Sequence, residues 1–280
     1  MKQCFRNVVI LVMTCASVFA SEKPYGPLPS GALSISEVSE VPAEICRDHL
    51  FDPGAFALRL PLGYRLTSAE DYAKDDRVLA DFLRANPTYA RFAVGSLCFM
   101  AVGKFTVDGV RVNPPGATPM AFWWARAEGP RDLRMQGKSQ WLQLASWYSR
   151  DITERAKVLA TDPMAQFTDI QVSEMESGVW RLRLELTDEV VEGEVRCSGE
   201  LTRRTGTPEN FMSVPFSGES AGYFWVISYF GHHQRPAQGE WKSKGSGIFS
   251  SAFQMPDESK VFSTGFQNGW SALSGLYRAR

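Results

Sequence analysis

The chain has 280 residues, is 44% hydrophobic and carries 30 Lys and Arg against 31 Asp and Glu. This near-neutral balance argues against a nucleic-acid partner, which calls for a basic excess, and the length is ample for a sizeable core. The three histidines and five cysteines show no zinc or thiol-exchange spacing.

The N-terminus reads as an export signal. Lys2 and Arg6 precede the apolar run Val8–Val18, which is too short to span a bilayer, and Ala20 closes a cleavage motif. Losing residues 1–20 removes two basic groups and takes the net charge from −1 to −3. No later segment reaches about 18 consecutive apolar residues. A periplasmic or secreted chain with no membrane span after cleavage is therefore expected, with oligomerisation left open. Residues 21–36, rich in Pro, Gly and Ser, read as an extended arm, and residues 37–280 as a single β-rich domain.

Glu37–Phe51 predicts a short helix and Ala55–Leu60 a strand. A capping box at Thr67–Glu70 starts a helix over 68–85, with Ala69, Tyr72, Leu79, Phe82 and Leu83 on one stripe. The chain then turns to β. Phe92–Val107 and Val110–Val112 flank Asp108-Gly109, a two-residue hairpin signal whose type I′ turn needs positive φ twice. Met120–Ala127 and Ser139–Tyr148 read as strands, followed by a helix over 151–161 and a corner at Asp162-Pro163.

Beyond the corner the pleat is legible. Trp180, Leu182, Leu184 and Leu186 share one face of a strand, and Arg181, Arg183 and Glu185 the other. On the next strand Val191, Val195 and Cys197 oppose Glu192, Glu194 and Arg196. This predicts an antiparallel meander with Arg–Glu pairs outside. Gly222–Phe230, Ser246–Met255, Val261–Phe266 and the C-terminal ALSGLYRAR predict further strands, with a solvated loop around His232-His233. The fold class is α+β, mostly antiparallel β, with a strongly curved or closed β-barrel core and two or three peripheral helices.

Cys46, Cys98 and Cys197 remain after signal removal. An odd count allows at most one internal disulfide, and buried free thiols are the simplest reading for Cys98 and Cys197. Nothing in the spacing calls for a metal or cofactor. Adjacent histidines point opposite ways, and His49 reads as structural, pairing with Asp48 or capping a helix. Lys104, Lys138, Lys157, Lys242 and Lys244 read as solvated surface lysines. There are 34 Phe, Trp and Tyr residues, gathered in FWW (122–124), WLQLASWY (141–148) and YFWVISYF (223–230). They serve either a filled core or an aromatic-walled ligand cavity. On the second reading Trp123, Trp124 and Trp225 line the site. Arg126, on the face of Trp124 by alternation, anchors a carboxylate if that face points inward, and is a surface arginine otherwise.

Three stretches carry a family resemblance: FDPGAFALRLPLGY (51–64), FTVDGVRVNPPGATPMAFWWARA (105–127) and ASWYSRDITERAKVLATDPMAQFTDIQV (145–172). In that order they resemble acetoacetate decarboxylase-like proteins. The resemblance implies a closed, curved barrel with an apolar interior site for a small oxo acid, worked through an imine on a lysine. Where the family carries that lysine after a proline, this chain has Met164. Where the family has a glutamate on the central strand, Met120 and Ala121 stand, and Thr161-Asp162 replaces a glycine turn. The expectation is an exported barrel that binds a small apolar or oxo-acid ligand without imine chemistry. The alternatives are a lyase- or hydrolase-type enzyme acting on a carbonyl compound, with His49, Asp162 or Glu185 as acid or base, and an envelope interaction protein with no ligand.

Overall fold

The computed structural model describes residues 28–56, 60, 65–128, 140–203, 209–213, 223–231, 233–253 and 264–278. The chain opens with β1 (Ser34–Val41) and β2 (Ala43–Phe51). These strands replace the helix expected over 37–51. On β2, Ala43, Ile45, Arg47 and His49 are buried at every second position, a period that fits a pleat and not a helix. Part of the segment expected as strand from Ala55 is a 3-10 turn, Pro53–Phe56, and residues 57–59 lie outside the described residues.

After the short β3 (Arg65–Leu66), the expected helix over 68–85 is two helices, α1 (Ala69–Tyr72) and α2 (Arg77–Ala85). Ser68 caps the first by accepting from Asp71 N–H at 3.1 Å. Asp76 starts the second by accepting from Val78 and Leu79 N–H. A side chain that takes those two donors fixes a helix start, which breaks the run. Leu79, Phe82 and Leu83 then pack on Leu50 and Val94.

β4 (Ala93–Val102) and β5 (Lys104–Val107) are parted at Gly103, where a Cβ would stand 2.8 Å from the Glu40 carbonyl. β5 returns through Asp108 (φ 49°) and Gly109 (φ 77°) into β6 (Val110–Arg111), as the hairpin signal predicts. β7 (Thr118–Glu128) and β8 (Gln140–Ser149) lead to α3 (Arg155–Thr161) and the corner. Next come β9 (Ala165–Thr168), β10 (Ile170–Glu176), β11 (Val179–Glu185) and β12 (Glu189–Cys197). Arg181 faces Glu194 and Arg183 faces Glu192 in register, with Arg183 Nη1 2.6 Å from Glu192. The chain continues through β13 (Thr202–Arg203), β14 (Glu209–Ser213), β15 (Tyr223–Phe230) and β16 (His233–Gly245).

β16 occupies the stretch expected as a loop. It pairs along its length with β12, β13 and β17 (Thr264–Asn268), so the polar residues of this stretch sit on a strand. The strand expected over Ser246–Met255 is α4 (Ile248–Ala252), whose Phe249 N–H donates to buried Glu189. The last strand is β18 (Trp270–Arg278).

Hydrogen-bonded neighbours run β10–β11–β12–β16–β17–β2–β4–β7–β8–β14–β15–β18–β1–β5, wrapping into a nearly closed barrel. Pairings along this path are antiparallel except β8–β14; β8 also pairs in parallel with β9. The fold is mostly antiparallel β with few helices, four among the described residues. The stretch β2–β4–β7–β8 is covered on both sides, so all of β4 is buried. One face, with Ile45, Leu97, Phe99 and Trp123, packs on β11, β12, β17 and α4. The other, with Cys98, Met100, Phe122, Trp124 and Tyr148, packs on β15, β18 and α3.

One irregularity matters for the site. Trp123 pairs with Ala145 but Trp124 pairs with Gln143, leaving Leu144 as an extra residue in β8. Leu144 and Ala145 both enter the first core. The bulge resets the alternation, so Gln143, Ser146 and Tyr148 all point to the second face.

Candidate functional site

The second face is a grid read from the registers. Asp48 lies opposite Ser96, Ser96 opposite Trp124, and Trp124 opposite Gln143. One row along, Cys46, Cys98, Phe122 and Ser146 follow. On the other side Arg126 pairs with Trp141.

Cys46 and Cys98 form a disulfide, which corrects the free-thiol reading for Cys98. Direct cross-strand pairing at a Cα separation of 4.0 Å brings the sulfurs together, and no spacing along the chain signals that register. Cys197 remains a free thiol, half-buried, its pKa raised by burial. Glu44 lies within 4.8 Å of the joined sulfurs.

Arg126 carries the clearest binding signal. Its guanidinium stacks 3.9 Å over the Trp141 ring and lies 5.8 Å from the Tyr72 ring. Among the described residues it makes no hydrogen bond or ion pair, and its Nε is buried without a partner. Two aromatic faces thus hold a planar cation in place, with its Nε buried and without a partner among the described residues.

Asp48 lies on the same face, two strands away in the row of Trp124 and so two residues off Arg126 along the strand. Burial is the main cause that raises the Asp48 carboxyl above its ordinary pKa; Ser96, Arg126 and Arg47 pull it the other way. The residue nevertheless keeps some solvent contact. Asp48 was missed in the sequence because its direction depends on reading 43–51 as a strand; once β2 is known, its parity with Cys46 places it on this face.

The corner at 162 is a second polar cluster. Asp162 is 1% exposed. It accepts from Gln143 Nε2 at 3.0 and 3.1 Å, Tyr148 OH at 3.0 Å and Met164 N–H at 3.1 Å. Burial comes first in raising its pKa, and Ser146, Tyr148, Met164 and Gln143 oppose that. The same cluster pushes the Tyr148 phenol well up, through burial first and the Asp162 charge second. Ser146 is near enough to help hold the Asp162 charge, yet its Oγ has no hydrogen bond of good geometry, and Gln143 Oε1 has none either. Each Asp162 oxygen already accepts two bonds, so this carboxylate anchors the corner and has little capacity left for a substrate. Met164 follows Pro163 and presents no amine.

The other expected residues fall elsewhere. Trp123 points into the first core, and its Nε1 donates to His49 Nε2 at 3.1 Å. The His49 Nδ1 sits 3.3 Å from the Arg47 carbonyl, which fixes the tautomer with that nitrogen donating. Phe51, Phe249 and Phe253 surround the ring, and burial lowers its pKa to about 4. His49 is therefore neutral and fully engaged, through Trp123 and the Arg47 carbonyl, and not through Asp48 or a helix end as expected. Glu185 lies on the outer face of the meander, paired with Arg183. Trp225 joins Trp124 on the second face, edge to face at 6.2 Å, and its Nε1 donates to the Thr161 carbonyl at 3.2 Å. Of the expected site residues, Trp124, Arg126 and Trp225 share the second face and Asp162 borders it. Lys138 and His232 lie outside the described residues.

With this geometry in hand, comparison with solved structures is decisive for the fold. An acetoacetate decarboxylase from Legionella pneumophila matches with TM-score 0.54 and 9% identity, covering 99% of this chain and 97% of that one. The chain has the acetoacetate decarboxylase-like fold. A second acetoacetate decarboxylase structure matches with TM-score 0.52 and 6% identity, over 90% of each chain. The enduracididine biosynthesis enzyme MppR, complexed with pyruvate, aligns at TM-score 0.47 and 13% identity over 95% of this chain and 92% of that one. Comparison with family models and with curated proteins finds no match. The acetoacetate decarboxylase-like barrel implied by the three sequence stretches is thus present, at an identity where the fold alone carries over.

Proposed function

We propose that this acetoacetate decarboxylase-like barrel binds a small oxo acid beside Arg126, on the face that also carries Asp48. The observation that carries the reading is the Arg126 guanidinium, stacked on Trp141 and without a hydrogen bond among the described residues. A carboxylate supplies the bidentate partner that such a cation lacks. Trp124 and Trp225 form the apolar wall beside it. The name of the matching structures supplies the ligand to test first, acetoacetate, with pyruvate as its shorter relative.

Imine chemistry is not part of this reading: the sequence resemblance puts Met164, and no lysine, after the proline of the corner. We also propose export to the periplasm or outside the cell, supported by the signal-like N-terminus and by a disulfide, which oxidising compartments favour. Residues 37–280 then act as one binding domain.

The test is a thermal-shift titration with acetoacetate and pyruvate. Binding to the folded state raises the midpoint with ligand concentration. The shift is expected in wild type and absent in Arg126→Ala; no shift with either acid in wild type removes the reading. Borohydride added with acetoacetate is expected to leave every lysine unmodified, and an adduct on any lysine would restore the imine mechanism.

A further inference from the structure

We propose that Cys46 and Cys98, once their disulfide is reduced, bind a thiophilic metal ion together with Glu44, so that the oxidation state of the pair opens and closes a metal site. The inference is independent of the oxo-acid reading. β2 and β4 place the donors. Cys46 and Cys98 are direct partners in register, and Glu44 stands two residues before Cys46 on the same face of β2. The two sulfurs and a Glu44 oxygen lie within 4.8 Å of one another, and among the described residues no other group of three His, Cys, Asp or Glu side chains converges in this way. Cys46 Sγ is 3.7 Å from Glu44 Oε1. Met100, directly opposite Glu44, adds a thioether to the same face.

These separations suit a tetrahedral ion. Zn–S bonds of about 2.3 Å and Zn–O bonds of about 2.0–2.2 Å hold a sulfur and an oxygen roughly 3.6 Å apart, close to the separation of Cys46 and Glu44. Two thiolates on one ion stand about 3.8 Å apart. Directly paired residues of an antiparallel ladder carry Cβ atoms about 4.5–5.5 Å apart, so released sulfurs reach that spacing by side-chain rotation with the register kept. Thiolates and a thioether select soft or borderline ions over Mg²⁺ or Ca²⁺. The sequence gives no such signal, because the two cysteines are 52 residues apart and only the register joins them.

The gating step is balanced by a thiol reductant. Cys46 is the partly exposed member of the pair and Cys98 the buried one, so a reductant thiolate attacks Cys46 Sγ and releases the Cys98 thiolate. A second reductant thiol displaces the first as a disulfide, leaving Cys46 and Cys98 as thiols with the two electrons and two protons gained. A divalent ion then binds both sulfurs and displaces both protons. Reoxidation rejoins the sulfurs and expels the ion.

The experiment titrates Cd²⁺, a spectroscopic substitute for Zn²⁺, into the chain that starts at residue 21, reduced with a phosphine and kept from air. One Cd²⁺ per chain and an ultraviolet thiolate-to-cadmium band are expected, with neither in the oxidised protein. Cys98→Ser should abolish the band, with Cys46→Ser in its place if that variant does not fold. Cys197→Ser should leave the band, and Glu44→Gln should weaken binding by about tenfold or more, at least the effect of losing an outer-shell partner. Near-ultraviolet circular dichroism reports the fold; if reduction unfolds the chain, one equivalent of Cd²⁺ should restore it, since the ion binds the folded arrangement. A reduced chain that takes up no Cd²⁺, or that Cd²⁺ fails to refold, overturns the inference. So does a band in the oxidised protein, a band that survives Cys98→Ser or vanishes in Cys197→Ser, or undiminished affinity in Glu44→Gln.

Discussion

The two faces of β7 meet different fates although their indoles are neighbours in sequence. Trp123 enters a neighbourhood where its own polar group is answered: it donates to His49, which donates on to a carbonyl, and phenyl rings fill the remainder. Trp124 enters a neighbourhood with a guanidinium two residues on that makes no hydrogen bond among the described residues, a desolvated carboxyl two strands away, and two buried polar atoms at the corner without partners. The first arrangement is what stability selects, because unmet buried polar groups cost free energy. The second is the face on which the proposed ligand is sought.

That contrast can be broken at several points. The largest effect is expected on the finished face. Trp123→Ala removes a packed ring and orphans the His49 acceptor, costing about 3–5 kcal/mol in urea unfolding, while folded Trp123→Phe should keep its pyruvate response. On the unfinished face the Cys46–Cys98 bridge closes a span of 52 residues, and replacing both cysteines with serine should cost about 4 kcal/mol by loop entropy. The same bridge predicts one titratable thiol, Cys197, in unreduced denatured protein that starts at residue 21.

A third measurement uses pH. His49 protonates near pH 4 when folded and near 6.5 when unfolded. Between those values the unfolded chain binds more protons. The His49 contribution is therefore full above about pH 6.5 and is lost as pH falls through 4, up to ~3 kcal/mol. The raised carboxyls of Asp48 and Asp162 act in the opposite sense, weakening the fold as pH rises above their ordinary 3.8. The difference between wild type and His49→Gln isolates the histidine: it should shrink towards acid, and a constant offset would deny the ring its neutral state.

Smaller still in stability, and larger in binding, is Trp124→Ala against Arg181→Ala. The first should weaken acetoacetate binding at least tenfold and the second not at all, since Arg181 sits outside at 51% exposure; equal effects would dissolve the distinction between the faces. Arg183→Ala should change stability by less than about 1 kcal/mol, as exposed pairs do.

Much of this was legible along the chain. The meander declared itself because its apolar and charged residues alternate over two adjoining strands, and Asp108-Gly109 because few turns tolerate two positive φ angles. Alternation also put Arg126 with Trp124. Segments 37–51 and 233–245 were not legible, since Glu, Arg and Asp at mixed spacing satisfy a helix or a loop as well as a strand whose partners lie 50 residues away. The pairing of Cys46 with Cys98, and the placing of Asp48 on the face of Arg126, follow from that register alone. The extra residue in β8 leaves no local mark at all: WLQLASWY alternates until it does not.

That extra residue makes the site's response to a deletion depend on where the deletion falls. Loss of Leu144 would close the ladder into regular pairing and leave Gln143, Ser146 and Tyr148 on their present face, because Leu144 and Ala145 both enter the first core and regular alternation needs only one of them there. Loss of Trp147 would instead carry Tyr148 to the opposite face and take its phenol from Asp162.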